Sequence, residues 1–394
     1  MVEDRQRPLD GITVVTLEHA IAAPFATRQL ADLGARIIKI ERPDGGDFAR
    51  GYDTRIRGGL ASHFAWCNRS KESVALDLKS KDGLATLHAL VSRADVFVQN
   101  LAPGATLRLG FDAARLRATD PRLIVCDISG FGAGGPYAER KAYDLLIQAE
   151  AGLLSVTGSP IEEAKVGISI ADIATGMYAF TSILAAVRLR DQTGRGAHID
   201  ISMLEALGEW MGYPLYYSFD GAPPPPRAGA AHATIYPYGP FPVGDGGTVL
   251  FGLQNEREWA AFCTKVLGRP ELIADTRFTT NGNRVTHRDA LRELIVATFE
   301  RQSRSEVMAL LDGAGIANAS VNEMAQVWDH PQFAARRRWR NVASEVGVIP
   351  ALLPPTGSDA FEPRMGAVPA LGEHTELVLR ELGVADPESA LLCA

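Results

Sequence analysis

Cysteine is scarce and scattered. The 394 residues hold four, Cys67, Cys126, Cys263 and Cys393, with no CxxC pair and no Cys/His cluster. That argues against a disulfide scaffold and against a zinc site, and it fits a reducing, cytoplasmic compartment. Basic residues are not in excess: the net charge is −7, so nucleic acid is not expected as a partner. The charged opening from Met1 to Pro8 lacks an apolar stretch of the signal-peptide kind. The best membrane candidate, Val166 to Val187, contains Asp172 and several small polar residues and runs into Arg188 and Arg190, which favours a buried helix preceded by a loop and no membrane partner. The first strand-to-helix turn, Glu18 to Pro24, has no GxGxxG, so the dinucleotide fingerprint is missing. No serine sits in GxSxG, which removes the esterase reading. The glycine-rich piece Gly130–Pro136 follows a strand but opens no helix, and reads as a flexible turn. Internal repeats and long disordered tracts are also missing.

What remains is an ordinary globular composition, 46% apolar and 22% charged, in a chain too long for one core. Strand-like runs at Ile12–Leu17, Ala35–Ile40, Ser73–Leu78, Val96–Gln99 and Leu123–Ile128 alternate with helical spacing at Pro24–Leu33 and Asp82–Arg93. Such alternation predicts βαβ units and a doubly wound, Rossmann-like parallel sheet. The run Gly221–Gly229, with four consecutive prolines, reads as a semi-rigid spacer. It divides a large domain (1–220) from a small α+β domain (221–330), after which 331–394 returns to the large domain. In the small domain a strand is expected at Thr248–Gly252, with helices near Glu256–Leu267, His287–Glu300 and Ser303–Gly313. Short strands near Asn341–Val348 and a last amphipathic helix after Gly372 complete the chain.

One carboxylate stands out. Asp172 lies where an apolar run meets helical spacing at Met177, Phe180, Ile183, Leu184 and Val187, which puts it at or near a helix N-cap. Asp is a preferred cap because its oxygens accept backbone N–H groups. A carboxylate at a helix N-terminus is also favoured as the anion, the form a nucleophile needs. Cap and nucleophile are both open. His19 follows the first strand, at the edge where open α/β sheets bind ligands. Arg42, Lys79 and Arg108 lie at or near strand ends, and with Lys141 they would suit a phosphate-bearing ligand.

In order along the chain, the landmarks Pro8–Ile12, Leu33–Arg42, Asn68–Ser73, Leu76–Lys79, Val98–Gly104, Ala171-Asp172, Thr193–Gly196 and Leu371–Thr375 resemble the class III coenzyme A transferases. That family includes formyl-CoA and carnitine-type transferases and shares its fold with α-methylacyl-CoA racemases. The resemblance implies a CoA transferase in which Asp172 attacks the donor thioester and carries an aspartyl-CoA intermediate, with no metal and no redox cofactor. It implies CoA contacts at His19, Ile21, Ala22, Arg42, Leu76, Lys79, Asn100, Arg108 and Lys141, and an interlocked homodimer. Racemases place a proton-shuttling His where this chain has Tyr143; a phenol titrates at about 10, which disfavours α-proton exchange at neutral pH. No GGGG lid occurs; Arg227–Gly239 takes that place. Trp210–Tyr217, His232–Gly239 and Gln254–Arg257 are similar to members acting on itaconate or other short dicarboxylates. Tyr143, Arg227, His232, Gln254 and Arg257 are therefore substrate candidates, with succinyl-CoA as donor and a C4–C5 dicarboxylate as acceptor. A racemase of the same fold and a non-catalytic CoA-binding protein are the alternatives.

Overall fold

The computed structural model describes residues 6–384, so Cys393 and the first five residues lie outside it. The chain divides into two units. One contains the described residues up to Gly152, then Val166–Gly212, then those from Phe333 onward; the other contains Leu153–Lys165 and Tyr213–Gln332. The proline-rich run at 222–226 thus lies inside the second unit, which begins at Tyr213 and also takes in the earlier excursion Leu153–Lys165.

The first unit is built on six parallel strands: β1 (Thr13–Leu17), β2 (Arg36–Glu41), β3 (Lys71–Ala75), β4 (Val96–Gln99), β5 (Ile124–Ser129) and β6 (His198–Ser202). Their order is β3-β2-β1-β4-β5-β6, the doubly wound arrangement expected from the alternating signals. Val14, Val15, Phe97, Val98 and Val125 are fully buried, as strands covered on both faces require. Third-strand pairing starts at Lys71, two residues before the first residue that the apolar pattern marked, because Lys71 is buried through its side-chain partners rather than through apolarity.

The order reverses between β1 and β4, and there the strands' carboxyl ends leave a crevice in folds of this type. The helix Ala22–Asp32 leaves the β1 end and packs on the long helix Ile170–Thr193. Gly176 permits the close approach: a Cβ there would sit 2.7 Å from the Ala22 carbonyl oxygen. The long helix is of a length and apolarity that could cross a membrane; here Ala174, Ala179 and Ile183 are buried, the last two in the core shared with β1, β4 and β5.

The second unit has an antiparallel sheet of β7 (Tyr238–Pro242), β8 (Thr248–Gly252) and β9 (Asn318–Ser320). Phe241 and Phe251 from this sheet share a core with Trp259, Phe262, Phe278 and Phe299. The helix Arg304–Ala314 starts with a capping box between Ser303 and Glu306. In the first unit, β10 (Trp339–Val342) and β11 (Ile349–Leu352) form a hairpin, and the helix Thr375–Leu382 lays Val378 against the core beneath β3.

Candidate active site

Two side chains fix the loop after β1. Asn100, just past β4, accepts the His19 N–H at 2.9 Å and donates back to the His19 carbonyl at 2.9 Å, stitching the loop across the switch point. Asp47 accepts the Ala20 N–H at 2.8 Å. Ala20 has φ +61°, a left-handed conformation that costs a non-glycine residue of order 1 kcal/mol or more. Ile21 and Ala22 follow, both buried, at the start of the first helix. The His19 ring lies 4.9 Å from that of Phe48, and the Arg42 guanidinium lies 5.0 Å from the Phe48 ring centre. Burial, only partly opposed by Asp47, lowers the His19 imidazole, so it is largely neutral at pH 7.

Beneath the loop lies a polar network whose partners are far apart in sequence and which sequence reasoning missed. Glu18, at the end of β1, accepts from Lys71 at 2.7 Å and from Thr16 and Thr27; Lys39 bridges it to Asp47. All four charged side chains are fully buried. Burial raises Glu18, but Lys71 and Lys39 outweigh it and hold the carboxyl at about 2. Burial in turn brings Lys71 down to about 8, against the pull of Glu18. Glu41 closes the network, taking Arg50 at 2.8 Å and the Ser73 hydroxyl at 2.7 Å.

Asp172 is not the cap that the sequence suggested. The long helix starts at Ile170 after Ser169, so Asp172 stands third in its first turn. Capping falls instead to Asp144, whose Oδ1 accepts the Ala171 N–H at 2.8 Å and the Asp172 N–H at 3.3 Å. Gln148 holds the other Asp144 oxygen at 2.7 Å. The helix terminus was expected to keep Asp172 ionised. Burial, with the Asp144 carboxylate second, instead raises it to about 7. Desolvation outweighs the helix dipole here, because the dipole is worth about 1 kcal/mol and a buried carboxylate loses much more hydration. Near neutral pH, then, Asp172 exists in both protonation states.

Tyr52 lies within electrostatic reach of Asp172, Asp47 and Tyr143; burial and then these groups raise its phenol. No sequence signal singled it out, although it closes the segment that Asp47 caps. Tyr143 is exposed and precedes the helix Asp144–Glu150. Asp172, Asp144, Tyr143 and Tyr52 are thus neighbours, and the helix bearing Asp172 rests on the Ala22 carbonyl one turn farther along.

The remaining candidates are more dispersed. Leu76 is buried beyond β3; Lys79 and Arg108 are exposed, the latter on the helix Ala105–Leu109. Lys141 lines a cavity of about 520 Å³ with Phe131, Arg140 and Leu146. In the second unit, His232 stacks on Tyr238 at 5.3 Å and its Nδ1 accepts the Thr234 and Ile235 N–H groups. Gln254 and Arg257 are exposed beyond β8, while Arg227 reaches another part of that unit, bonding the Ser159 carbonyl and Glu163. Among the described residues no group of three or more His, Cys, Asp or Glu is placed to hold a metal.

A doubly wound sheet with a tethered loop at its switch point and a desolvated carboxylate nearby has the layout of a ligand site in an α/β protein. The chain belongs to CoA-transferase family III, whose family model matches residues 9–375, and is accordingly a CoA-transferase. It is 32% identical to the human succinyl-CoA:glutarate CoA-transferase over 95% of this chain and 86% of that protein. It is 36% identical to the acetyl-CoA:oxalate CoA-transferase of Acetobacter aceti over 84% of each. The crystal structure of a CAIB/BAIF family protein from Brucella suis superposes with a TM-score of 0.84 at 34% identity, covering 96% of this chain and all of that one.

Proposed function

We propose that this transferase moves CoA from succinyl-CoA to a C4–C5 dicarboxylic acid through a covalent intermediate on Asp172. The observation that carries this is the placement of Asp172: desolvated, in the first turn of a helix packed on the start of the helix that follows the β1 loop. The Asp172 carboxylate attacks the donor thioester carbonyl, forming a mixed anhydride and releasing CoA thiolate. The thiolate attacks the aspartyl carbonyl, giving an aspartyl-CoA thioester and free donor acid. The acceptor carboxylate then expels the thiolate to form a second anhydride, and the thiolate returns to the acceptor carbonyl, regenerating Asp172. Each step keeps the activation in a covalent bond, and a site that sheds water protects it from hydrolysis.

Acyl-CoA lies over the β1 loop and β4 end, with His19, Ile21, Ala22 and Asn100 near its pantetheine and Arg42, Lys79, Arg108 and Lys141 meeting its phosphates through charge-assisted bonds. Leu76 supplies an apolar wall. Tyr143 in the first unit, and Arg227, His232, Gln254 and Arg257 in the second, are the residues to be tested for acceptor selection, and the functional assembly is an interlocked homodimer. The glutarate in the name of one relative supports a C5 acceptor, and the oxalate in that of another supports a dicarboxylate of some length, with itaconate among the acids to be tried. Incubation with succinyl-CoA followed by mass spectrometry of the intact protein is expected to show CoA attached at Asp172, and Asp172→Ala is expected to fold and lose exchange. Exchange retained in that variant would refute the covalent route. A panel of dicarboxylates from C2 to C6, run beside monocarboxylates of matching length, tests the acceptor; preference for a monocarboxylate overturns that part.

A further inference from the structure

We infer that Asp47 is a positioning residue that couples the acyl-CoA loop to the neighbourhood of the nucleophile. It touches neither Asp172 nor the reacting atoms in this arrangement, and it deepens the acyl-CoA site proposed above, on which it rests. Its carboxylate is buried and divided between three tasks. Oδ1 accepts the N–H of Ala20 at 2.8 Å and the N–H of Ala49 at 2.9 Å. Oδ2 takes the Lys39 ammonium. Its own N–H donates to Glu41 at 2.9 Å.

These bonds join two segments. Through Ala20, Asp47 holds the only described left-handed residue of the β1 loop, between His19 and Ile21. Through Ala49 it caps the short turn Phe48–Gly51. That turn sends Phe48 against His19, and it is followed by Tyr52, which lies within electrostatic reach of Asp172 and Tyr143. An alanine does not hold φ +61° without an external restraint, and the Ala20 N–H has this carboxylate as its acceptor. Lys39, fixed by Glu18 from the opposite side at 3.4 Å, keeps the carboxylate from turning away. A purely structural ion pair would require only the Lys39 contact. The two N–H acceptors on a single oxygen point to a restraint on backbone geometry at the ligand loop.

The test separates oxygen placement from charge. Asp47→Asn keeps an Oδ1 for both N–H groups and removes the charge; Asp47→Ala removes both. Ala20→Gly, added to Asp47→Ala, makes φ +61° free of steric cost and so relieves the need for the restraint. Free CoA affinity by titration calorimetry, KM and kcat with succinyl-CoA, and thermal midpoint are measured for each. Asp47→Ala is expected to weaken free CoA and raise the succinyl-CoA KM at least tenfold, with a smaller change in kcat, and the added Ala20→Gly is expected to recover about threefold or more of that loss. Asp47→Asn is expected to restore CoA affinity to within about threefold of wild type despite a lower thermal midpoint. Should Asp47→Ala not fold, Lys39→Met/Asp47→Ala, which leaves no unpaired buried ammonium, takes its place. Unchanged CoA affinity in Asp47→Ala, no recovery with Ala20→Gly, or equal losses in Asp47→Asn and Asp47→Ala, overturns the inference and leaves Asp47 a buried ion-pair partner. Arg42→Ala reports on the acyl-CoA site itself: if it and Asp47→Ala both bind CoA normally, the ligand lies elsewhere and both readings fail; if only Arg42→Ala weakens binding, Asp47 alone is wrong.

Discussion

Replacing Asp144 by Asn separates capping from charge at the nucleophile. The Asn Oδ1 can still accept the Ala171 and Asp172 N–H groups, so the start of the long helix is retained. Its amide, however, now faces the Gln148 amide that donates to Asp144. Gln148 cannot simply flip, because its oxygen accepts the Val166 N–H at 3.1 Å. A stability loss of about 1 kcal/mol follows from that one mismatched bond. The catalytic effect is larger. Asp172 is raised from 3.8 to about 7, first by burial and second by Asp144. At about 1.36 kcal/mol per unit the whole shift is worth roughly 4 kcal/mol. Burial has the greater share, so removing the Asp144 charge lowers Asp172 by about one unit. Because the nucleophile must be ionised, kcat/KM for CoA exchange falls as the pH drops through about 7 in the wild type. In Asp144→Asn that acid limb moves down by about one unit, making relative activity at pH 5.5 about eightfold higher than in the wild type after normalising each enzyme to its plateau. The assay is kcat/KM against pH from 5 to 9, with the thermal midpoint tracked in parallel. An acid limb that stays in place or moves upward refutes the claim that Asp144 holds Asp172 protonated.

Three further substitutions probe the scaffold. A folded-state pKa raised to about 7 contributes stability below 3.8 that is lost as the pH rises through 7; Asp172→Asn should therefore melt higher than wild type at pH 8, by up to about 4 kcal/mol, with the gap narrowed to roughly 1.6 kcal/mol at pH 5, and calorimetry at both pH values checks it. Gly176→Val places a side chain where a Cβ already comes within 2.7 Å of the Ala22 carbonyl, so a loss of about 1–3 kcal/mol is expected together with slower exchange; normal activity at lowered stability would show that the helix contact does not set Asp172. Lys39→Met leaves the Asp47 carboxylate buried without its cation and should destabilise by about 3–5 kcal/mol in urea unfolding, far more than an exposed lysine.

The architecture was legible because it rests on short-range signals. β4 and β8 fall on the expected residues, and β1, β2 and β5 begin or end within a residue or two of the apolar runs. β3 was displaced for a specific reason: its first residues, Lys71 and Glu72, look solvent-facing by type, yet Lys71 is buried through three side-chain and backbone oxygens. The division of the chain was less legible. The second unit's main segment runs Tyr213–Gln332 where the proline run suggested 221–330, and the excursion Leu153–Lys165 carries no compositional break.

The candidate site shows the same limit at the level of chemistry. Residue type and order brought attention to Asp172, His19 and Asn100, and local spacing placed Asp172 near a helix start. Its charge state was inferred from that start alone, and the sign came out reversed. A helix terminus acts on a carboxylate only through the first few N–H groups, and here Asp144, 28 residues earlier than Asp172, already occupies two of them. With its cap position taken, the half-buried Asp172 keeps the desolvation and loses much of the compensation. The loop after β1 behaves alike: Ala20 looks unremarkable in sequence, and only the pairing of Asp47 with it, 27 residues on, accounts for a strained alanine. Which residues can react follows from their identity; whether they are charged and where they are held follows from partners that only the folded chain selects.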